Sequence, residues 1–349
     1  MDLILDGRAH GSVASRLLKN NFDLGALRPY IDVDGREYIT QNVNGVPTPI
    51  PMVGNALLRR DEWIEIDTAV TTAARERLRL IGDLQSAGLT RRLTNGFGKT
   101  MIESQRMGTI TGATISMDPA RKSEGDRPEF DIINLPLPVI HKDFHFTARQ
   151  IATSRNGGTP IDTVTAQEAA RKVAEEAEKL ALGVSGSYSY GGGTVYGLTN
   201  FPGRNTTVIA HPDESDWTPA QFLTQLIGMR QQSMDEFNMG PWVLYVAPGW
   251  DEFLDEDYKA NSDITLRARA LQLNGITSIR TLDYLTGYQM VLVQMTSDNI
   301  RLVIGMDITT LQWETDGGMV QHYKVMAIMV PQLRSDIEGQ SGIVHAVPA

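Results

Sequence analysis

Small apolar residues recur at Ala166, Ala169, Ala170, Val173, Ala177, Leu180 and Ala181, three or four apart, the spacing of one helix face. The other face carries Gln167, Glu168, Arg171, Lys172, Glu175, Glu176 and Lys179, and Gly183 offers a stop. Thr165 and Glu168 have the spacing of a capping box, in which hydroxyl and carboxylate each take a free amide. The pattern predicts one helix over 165–182, a rod of roughly 27 Å. An alanine stripe lets another element approach closely. A second helix is predicted over about 61–86, with Trp63, Ile66, Val70, Ala74, Leu78, Ile81 and Leu84 inward and Gly88 beyond its end. Thr218, Pro219 and Gln221 start a third with cap, first-turn proline and capping-box partner in place. Its apolar face is Phe222, Leu226, Ile227, Met234 and Phe237, and Gly240-Pro241 ends it. A fourth is predicted over 263–273, ended by Asn274-Gly275.

Strand patterns fill most of the rest. WVLYVA at 242–247 reads as a buried strand, and others are predicted near 289–295, 300–304, 308–314 and 320–330. Between 93 and 134 the pattern breaks into fragments: MIESQ and GTITGATISM read as two arms of a β-hairpin, beside the charged segment DPARKSEGDRPEFD. An excursion with so little apolar content should project from the body. Residues 1–58 read as an arm with short apolar patches. Asp34-Gly35 marks a hairpin there, and Pro47, Pro49 and Pro51 force an extended path. Such an arm has no core of its own and is expected to order on another surface, such as a neighbouring subunit. Long helices followed by late strands indicate an α+β fold.

At 349 residues and 41% hydrophobic, the chain can bury a substantial core. The absence of cysteine excludes disulfides and thiolate metal sites. A formal charge of −10 excludes a strongly basic nucleic-acid footprint. No apolar run approaches a membrane span of about 20 residues. MDLILDGRAHG does not read as a signal peptide, so a soluble intracellular product is expected.

Site-like features are sparse. Gly96-Phe97-Gly98-Lys99-Thr100 ends like a phosphate loop, but Leu93 stands where the pattern needs its first glycine. His141, Asp143 and His145 share one strand face by alternation, a geometry open to a divalent metal or to a plain polar surface. Gly191-Gly192-Gly193 lacks the strand-to-helix context of a dinucleotide loop and reads as a turn. Asp255, Glu256 and Asp257 read as a solvated acidic run. No nucleophile elbow appears. The expectation is no catalytic residue, no cofactor, no metal and no enzyme.

Taken in order, these elements resemble the major capsid proteins of tailed phages and the related encapsulins, which share the Hong Kong 97-type fold. LPLPVIHKDFHFTARQI looks like the strand returning from that family's extended loop, and the 165–182 helix looks like its spine helix. VYGLTN at 195–200 is similar to the turn before the axial domain. GPWVLYVAPGWDEFL at 240–254 is similar to that domain's Gly-Pro, apolar strand and Pro-started helix. IRLVIGMDITTLQWE at 300–314 looks like a strand, a Gly-x-Asp turn and a strand, and KVMAIMVPQLRSDI at 324–337 like the closing strand. The resemblance covers roughly residues 60–345. The long arm and the longer excursion depart from encapsulins and favour a viral capsid.

The resemblance implies an arm (1–58), an N-terminal helix of the peripheral domain (59–93) and an extended loop (94–138). It further implies a peripheral domain with the spine helix (139–200), an axial domain (201–304) and peripheral return strands (305–349). It implies self-assembly into pentamers and hexamers of an icosahedral head that encloses double-stranded DNA without sequence-specific binding. Portal and scaffolding or decoration proteins are the implied partners. The virion capsid, assembled in the host cytoplasm, is the implied location. The alternative is an encapsulin-type compartment around a cargo enzyme. Candidate inter-subunit contacts are Arg121, Lys122, Glu124, Asp126 and Arg127, and Lys99 and Lys122 are candidate crosslinking lysines.

Overall fold

The computed structural model describes residues 28–43, 46–52, 58, 60–108, 113, 115, 117, 127, 130–157, 163–215, 217–259 and 263–348. The first half gives β1 (Tyr30–Ile31), β2 (Glu37–Val43), β3 (Val46–Met52), α1 (Arg60–Arg77), α2 (Leu80–Ser86), β4 (Thr90–Arg92), β5 (Met101–Met107), β6 (Phe130–Pro136), β7 (Ile140–Thr147), α3 (Ala148–Gly157) and α4 (Val164–Leu182). The second half gives β8 (Tyr188–Tyr190), β9 (Gly193–Val195), β10 (Asn205–Ile209), α5 (Pro219–Asp235), β11 (Trp242–Val246), α6 (Asp251–Leu254), α7 (Leu266–Leu271), β12 (Ile276–Thr281), β13 (Met290–Gln294), β14 (Ile300–Thr315), β15 (Val320–Leu333) and β16 (Ile343–Pro348).

Two mixed sheets organise this α+β fold. One has the order β4-β14-β15-β7, the other β10-β16-β13-β11-β12. α4 packs on α1 and on β7 and β15. Its alanine stripe is buried at every expected position, with Ala174 and Glu178 buried as well. The opposite face of the four-stranded sheet, through Val303, Met306, Ile328 and Val330, packs against Ile102, Leu135 and Val195. A larger core joins α1 and α4 to the five-stranded sheet through residues such as Phe222, Trp250 and Leu292.

Several elements differ from their sequence patterns. The N-cap of α4 is Thr163, without a side-chain cap bond. Thr165 therefore already lies inside the first turn, and Glu168 pairs with Arg171 at 2.5 Å instead of closing a capping box. The single helix expected over 61–86 is two, α1 and α2, broken at Leu78 and Arg79. The expected turn at Gly305-Met306-Asp307 is absent. β14 runs through it, absorbing the irregular residues in register shifts between Ile304 and Met306 and between Met306 and Thr309. The continuous partner β15 holds both halves in one ladder. The helix expected over 263–273 shortens to α7, whose cap Thr265 accepts a bond from Ala268 N–H at 3.3 Å. α5 carries its full capping box. Its predicted apolar face is incomplete, because Ile227 and Phe237 are exposed.

The hairpin at Asp34-Gly35 forms, with Gly35 at φ 74. β1, β2 and β3 build a three-stranded sheet, so this part of the arm has structure of its own. It docks on α1: Trp63 Nε1 donates to the Pro29 carbonyl at 3.0 Å, and Arg28 lies 4.6 Å from the Trp63 ring centroid. Pro49 and Pro51 have no N–H to offer a further strand, which protects the outer edge of β3. β16 belongs to the five-stranded sheet, between β10 and β13, whereas β14 and β15 belong to the four-stranded one.

Candidate functional site

The end of α4 is where the two halves of the chain join. A helix leaves its last carbonyls without intrahelical partners. Here the Tyr-Gly-Leu-Thr-Asn segment supplies them. Leu198 N–H donates to Ala181 O at 3.1 Å, and Thr199 N–H and Oγ1 both donate to Leu182 O at 2.8 Å. Asn200 Nδ2 reaches Gly183 O at 3.2 Å, while its Oδ1 accepts Gly197 N–H at 2.7 Å. A Cβ on Gly197 would stand 2.0 Å from Gly183 N, so glycine is required for the approach. The motif that marked the resemblance is thus the C-terminal cap of the long helix.

Sequence reasoning assigned Glu178 to neither face of that helix. Its carboxylate is 1% exposed and accepts the N–H groups of Leu80 at 2.5 Å and Ile81 at 3.2 Å. It caps α2 from a distance and stabilises the break between α1 and α2. Burial pushes its pKa up to about 7, against the pull of the amide donors. Burial also raises Asp83 on the same short helix, opposed by Arg280 and by Tyr245. Tyr245 on β11 donates to Asp83 at 3.2 Å, and Arg280 on β12 pairs with it at 3.2 Å. α2 is therefore fastened to the long helix on one side and to the five-stranded sheet on the other. No sequence signal separated Glu178 from its neighbours, the exposed Glu176 and the ion-paired Glu175.

β5 and β6 form a two-stranded ribbon outside both sheets, registered from Met101 with Pro136 to Met107 with Phe130. MIESQ was expected to pair with 108–117; its partner is instead 130–136. The reason is at the root, where this register places Ile102 and Leu135 together on the buried face of the four-stranded sheet. Farther out, Phe130 (61% exposed) and Ile132 (59%) face solvent, flanked by an Arg106–Asp131 ion pair at 2.6 Å. A two-stranded ribbon alone is marginal in water. This one is anchored at its base and offers apolar surface beyond it.

The other candidates resolve into structure. Gly96 packs against the backbone of Gly305, where a Cβ would lie 2.2 Å from the Gly305 Cα, so its glycine serves close packing. Lys99 is exposed. His141, Asp143 and His145 do share an exposed face of β7, but Asp143 pairs with Lys324 at 3.4 Å and His145 lies beside His322. No group of three metal-ligating side chains occurs among the described residues. Gly191 and Gly192, both with positive φ, make the β8–β9 turn, and Gly193 lies against Asn134 O. Asp255 pairs with Arg267 at 2.9 Å. Of the candidate contacts, Arg127 is exposed, while Arg121, Lys122, Glu124 and Asp126 lie outside the described residues. Among the described residues no helix is long and apolar enough to cross a membrane.

The fold is shared with known shells. The chain is similar to a virus-like particle from Pyrococcus furiosus, with a TM-score of 0.58 and 15% identity over 82% of this chain and 99% of that one. The capsid of Myoviridae phage XM1 matches with a TM-score of 0.57 and 11% identity, over 76% of this chain and 91% of that one. A chain of Mycobacterium phage Bobi matches with a TM-score of 0.55 and 12% identity, over 76% and 90%. At these identities the likeness establishes the fold. A family model described as "Family of unknown function (DUF6260)" matches residues 53–346.

Proposed function

The chain belongs to the DUF6260 family, and from that premise we propose that it is the major capsid protein of a tailed double-stranded DNA phage. Its copies form pentamers and hexamers of an icosahedral head. The observation that carries this reading is the β5–β6 ribbon. It is anchored at the root, carries exposed Phe130 and Ile132, and projects from a fold found in a virus-like particle and in phage capsids.

In this reading the ribbon, as part of the extended loop, overlaps an adjacent subunit and buries its apolar side chains there. The four-stranded sheet with α1, α2 and α4 is the peripheral unit, and the five-stranded sheet is the axial unit around which capsomers close. Each polar contact between copies is worth about 0–1 kcal/mol, and repetition around a closed shell makes such contacts sufficient. The genome is enclosed rather than read, consistent with the net charge of −10. A portal and scaffolding or decoration proteins complete the head, which assembles in the host cytoplasm and becomes the virion capsid.

A second reading, a compartment around a cargo enzyme, draws support from the fold likeness to a virus-like particle. Electron microscopy of the purified assembly tests both. Regular closed shells support the shell reading, and DNA-filled heads with tails favour the phage. A monodisperse small protein at all concentrations overturns both.

A further inference from the structure

We propose that Arg91, Arg301 and Arg334 form a patch that pairs with carboxylates of a neighbouring copy of this chain. This rests on the shell reading and names a contact that the reading leaves unassigned.

Two of the arginines lie on strands of the four-stranded sheet, and the third directly follows the end of β15. Arg91 on β4 stands beside Val303 of β14 in their parallel pairing. Arg301 lies two residues upstream of Val303 and hence on the same face. Across from Arg301 is Gln332 on β15, and Arg334 follows two residues later, its N–H bonded to Asn299 O at 2.9 Å. Three guanidinium groups are thereby gathered at one end of the sheet. Burial, then Arg334 and Arg91, lower the pKa of Arg301, partly offset by Asp298, and its Nε donates to Ser297 O at 2.7 Å. Among the described residues no carboxylate lies within ion-pair distance of any of the three. Their neighbour Arg92, by contrast, holds Asp307 at 2.5 Å.

Arg334 also lines a groove of about 670 Å³ whose far wall is the β5–β6 ribbon, with Ile133, Tyr196 and Phe201 along it and with Asp298 and Asp336 of this chain at its edge, neither within ion-pair distance of the three arginines. The patch therefore borders the element that the shell reading already assigns to subunit overlap.

Charge selects the occupant. Copies with a net charge of −10 repel on average, so contact between them is favoured where a positive patch meets the acidic surface of the next copy. Carboxylates are available: Glu252, Glu256 and Asp257 are exposed and have no ion-pair partner among the described residues. Arginine suits such contacts because its planar fork binds a carboxylate through two parallel hydrogen bonds. A duplex backbone needs a broader basic track, and Asp298 lies beside Arg301.

The test uses the full chain with Arg334→Lys, which places a carbodiimide-reactive amine in the patch. Shells are assembled from equal amounts of light and isotope-heavy protein and treated with the zero-length crosslinker. Mixed light–heavy crosslinks from position 334 to Asp or Glu support the proposal; same-copy crosslinks only, or none, overturn it. The triple variant Arg91→Glu, Arg301→Glu, Arg334→Glu should lower shell yield at least about tenfold at low salt while leaving the circular dichroism spectrum unchanged. Unchanged yield overturns the proposal, whether or not co-purifying nucleic acid is lost. If the wild-type chain makes no shell, the shell reading falls. The isotope-mixed crosslink in whatever oligomer forms still decides the patch.

Discussion

Glu178 on α4 accepts the amide hydrogen of Leu80 at 2.5 Å and so ties the long helix to the start of α2. Its folded pKa of about 7 lies above the unfolded value of 4.5, so the folded chain holds this proton more tightly. The stability it contributes is full below pH 4.5 and declines as pH rises to about 7. The shift corresponds to on the order of 3 kcal/mol. His345 acts in the opposite sense: burial, and then Arg204, lower its pKa to about 4, so its contribution is lost as pH falls from 6.5. The informative quantity is therefore the difference between wild type and Glu178→Gln. Denaturant melts should show the wild type losing stability relative to the variant between pH 5 and 7. A difference independent of pH would count against the assignment.

Gly197→Ala should destabilise by about 3 kcal/mol or more, because the new Cβ meets the backbone of Gly183, which has no side chain to move aside. Gly186→Ala is the control. It has open space but φ 85, so strain alone should cost about 1 kcal/mol. Urea midpoints compare the two, and equal losses would show that the close approach is unimportant.

Gly96→Ala should lower stability by about 2 kcal/mol through its contact with Gly305. Lys99→Ala, at an exposed position, should change it by less than about 0.5 kcal/mol. Calorimetry with a nucleoside triphosphate should give no heat that depends on Lys99. Such a heat would restore the phosphate-loop reading.

Ile132→Asp places a charge on the exposed stretch of β6. Melting of the unassembled protein should stay within about 0.5 kcal/mol of wild type. Sedimentation should show fewer closed shells, since the charge must be buried against the neighbour. Full shell yield would remove the ribbon from the interface.

Thr218→Ala removes the hydroxyl half of the capping box on α5. The expected loss is about 1 kcal/mol in a urea melt, and no loss would show the cap to be incidental.

Much of the fold was legible because local patterns carry it. Ala166 through Ala181 lie at a helical period that only one face can bury, and Thr218-Pro219-Gln221 completes its cap within four residues. The patterns failed where two readings cost the same locally. Leu78 and Ile81 fit one continuous helical stripe, and nothing between them signals a break. MIESQ alternates equally well with 108–117 and with 130–136. Gly305 looks like a turn until a continuous β15 is laid beside it. The candidate site was less legible still: Glu178 carries no mark that distinguishes it from Glu176, and the proposed patch of Arg91, Arg301 and Arg334 draws on residues far apart in the chain that share no motif.

The sequence by itself determined the kinds of elements, their order, the buried alanine face and the absence of thiol chemistry, because each depends on neighbours within a turn or two. Tertiary structure decided which strands pair, where the first long helix breaks and which glycines are obligatory. Those outcomes depend on groups distant in the chain. Glu178 supplies acceptors to Leu80 and Ile81, Gly197 closes on Gly183, and Leu135 seats beside Ile102. A carboxylate reads as solvated until the fold places two amides against it, and an arginine reads as surface charge until two others are set beside it.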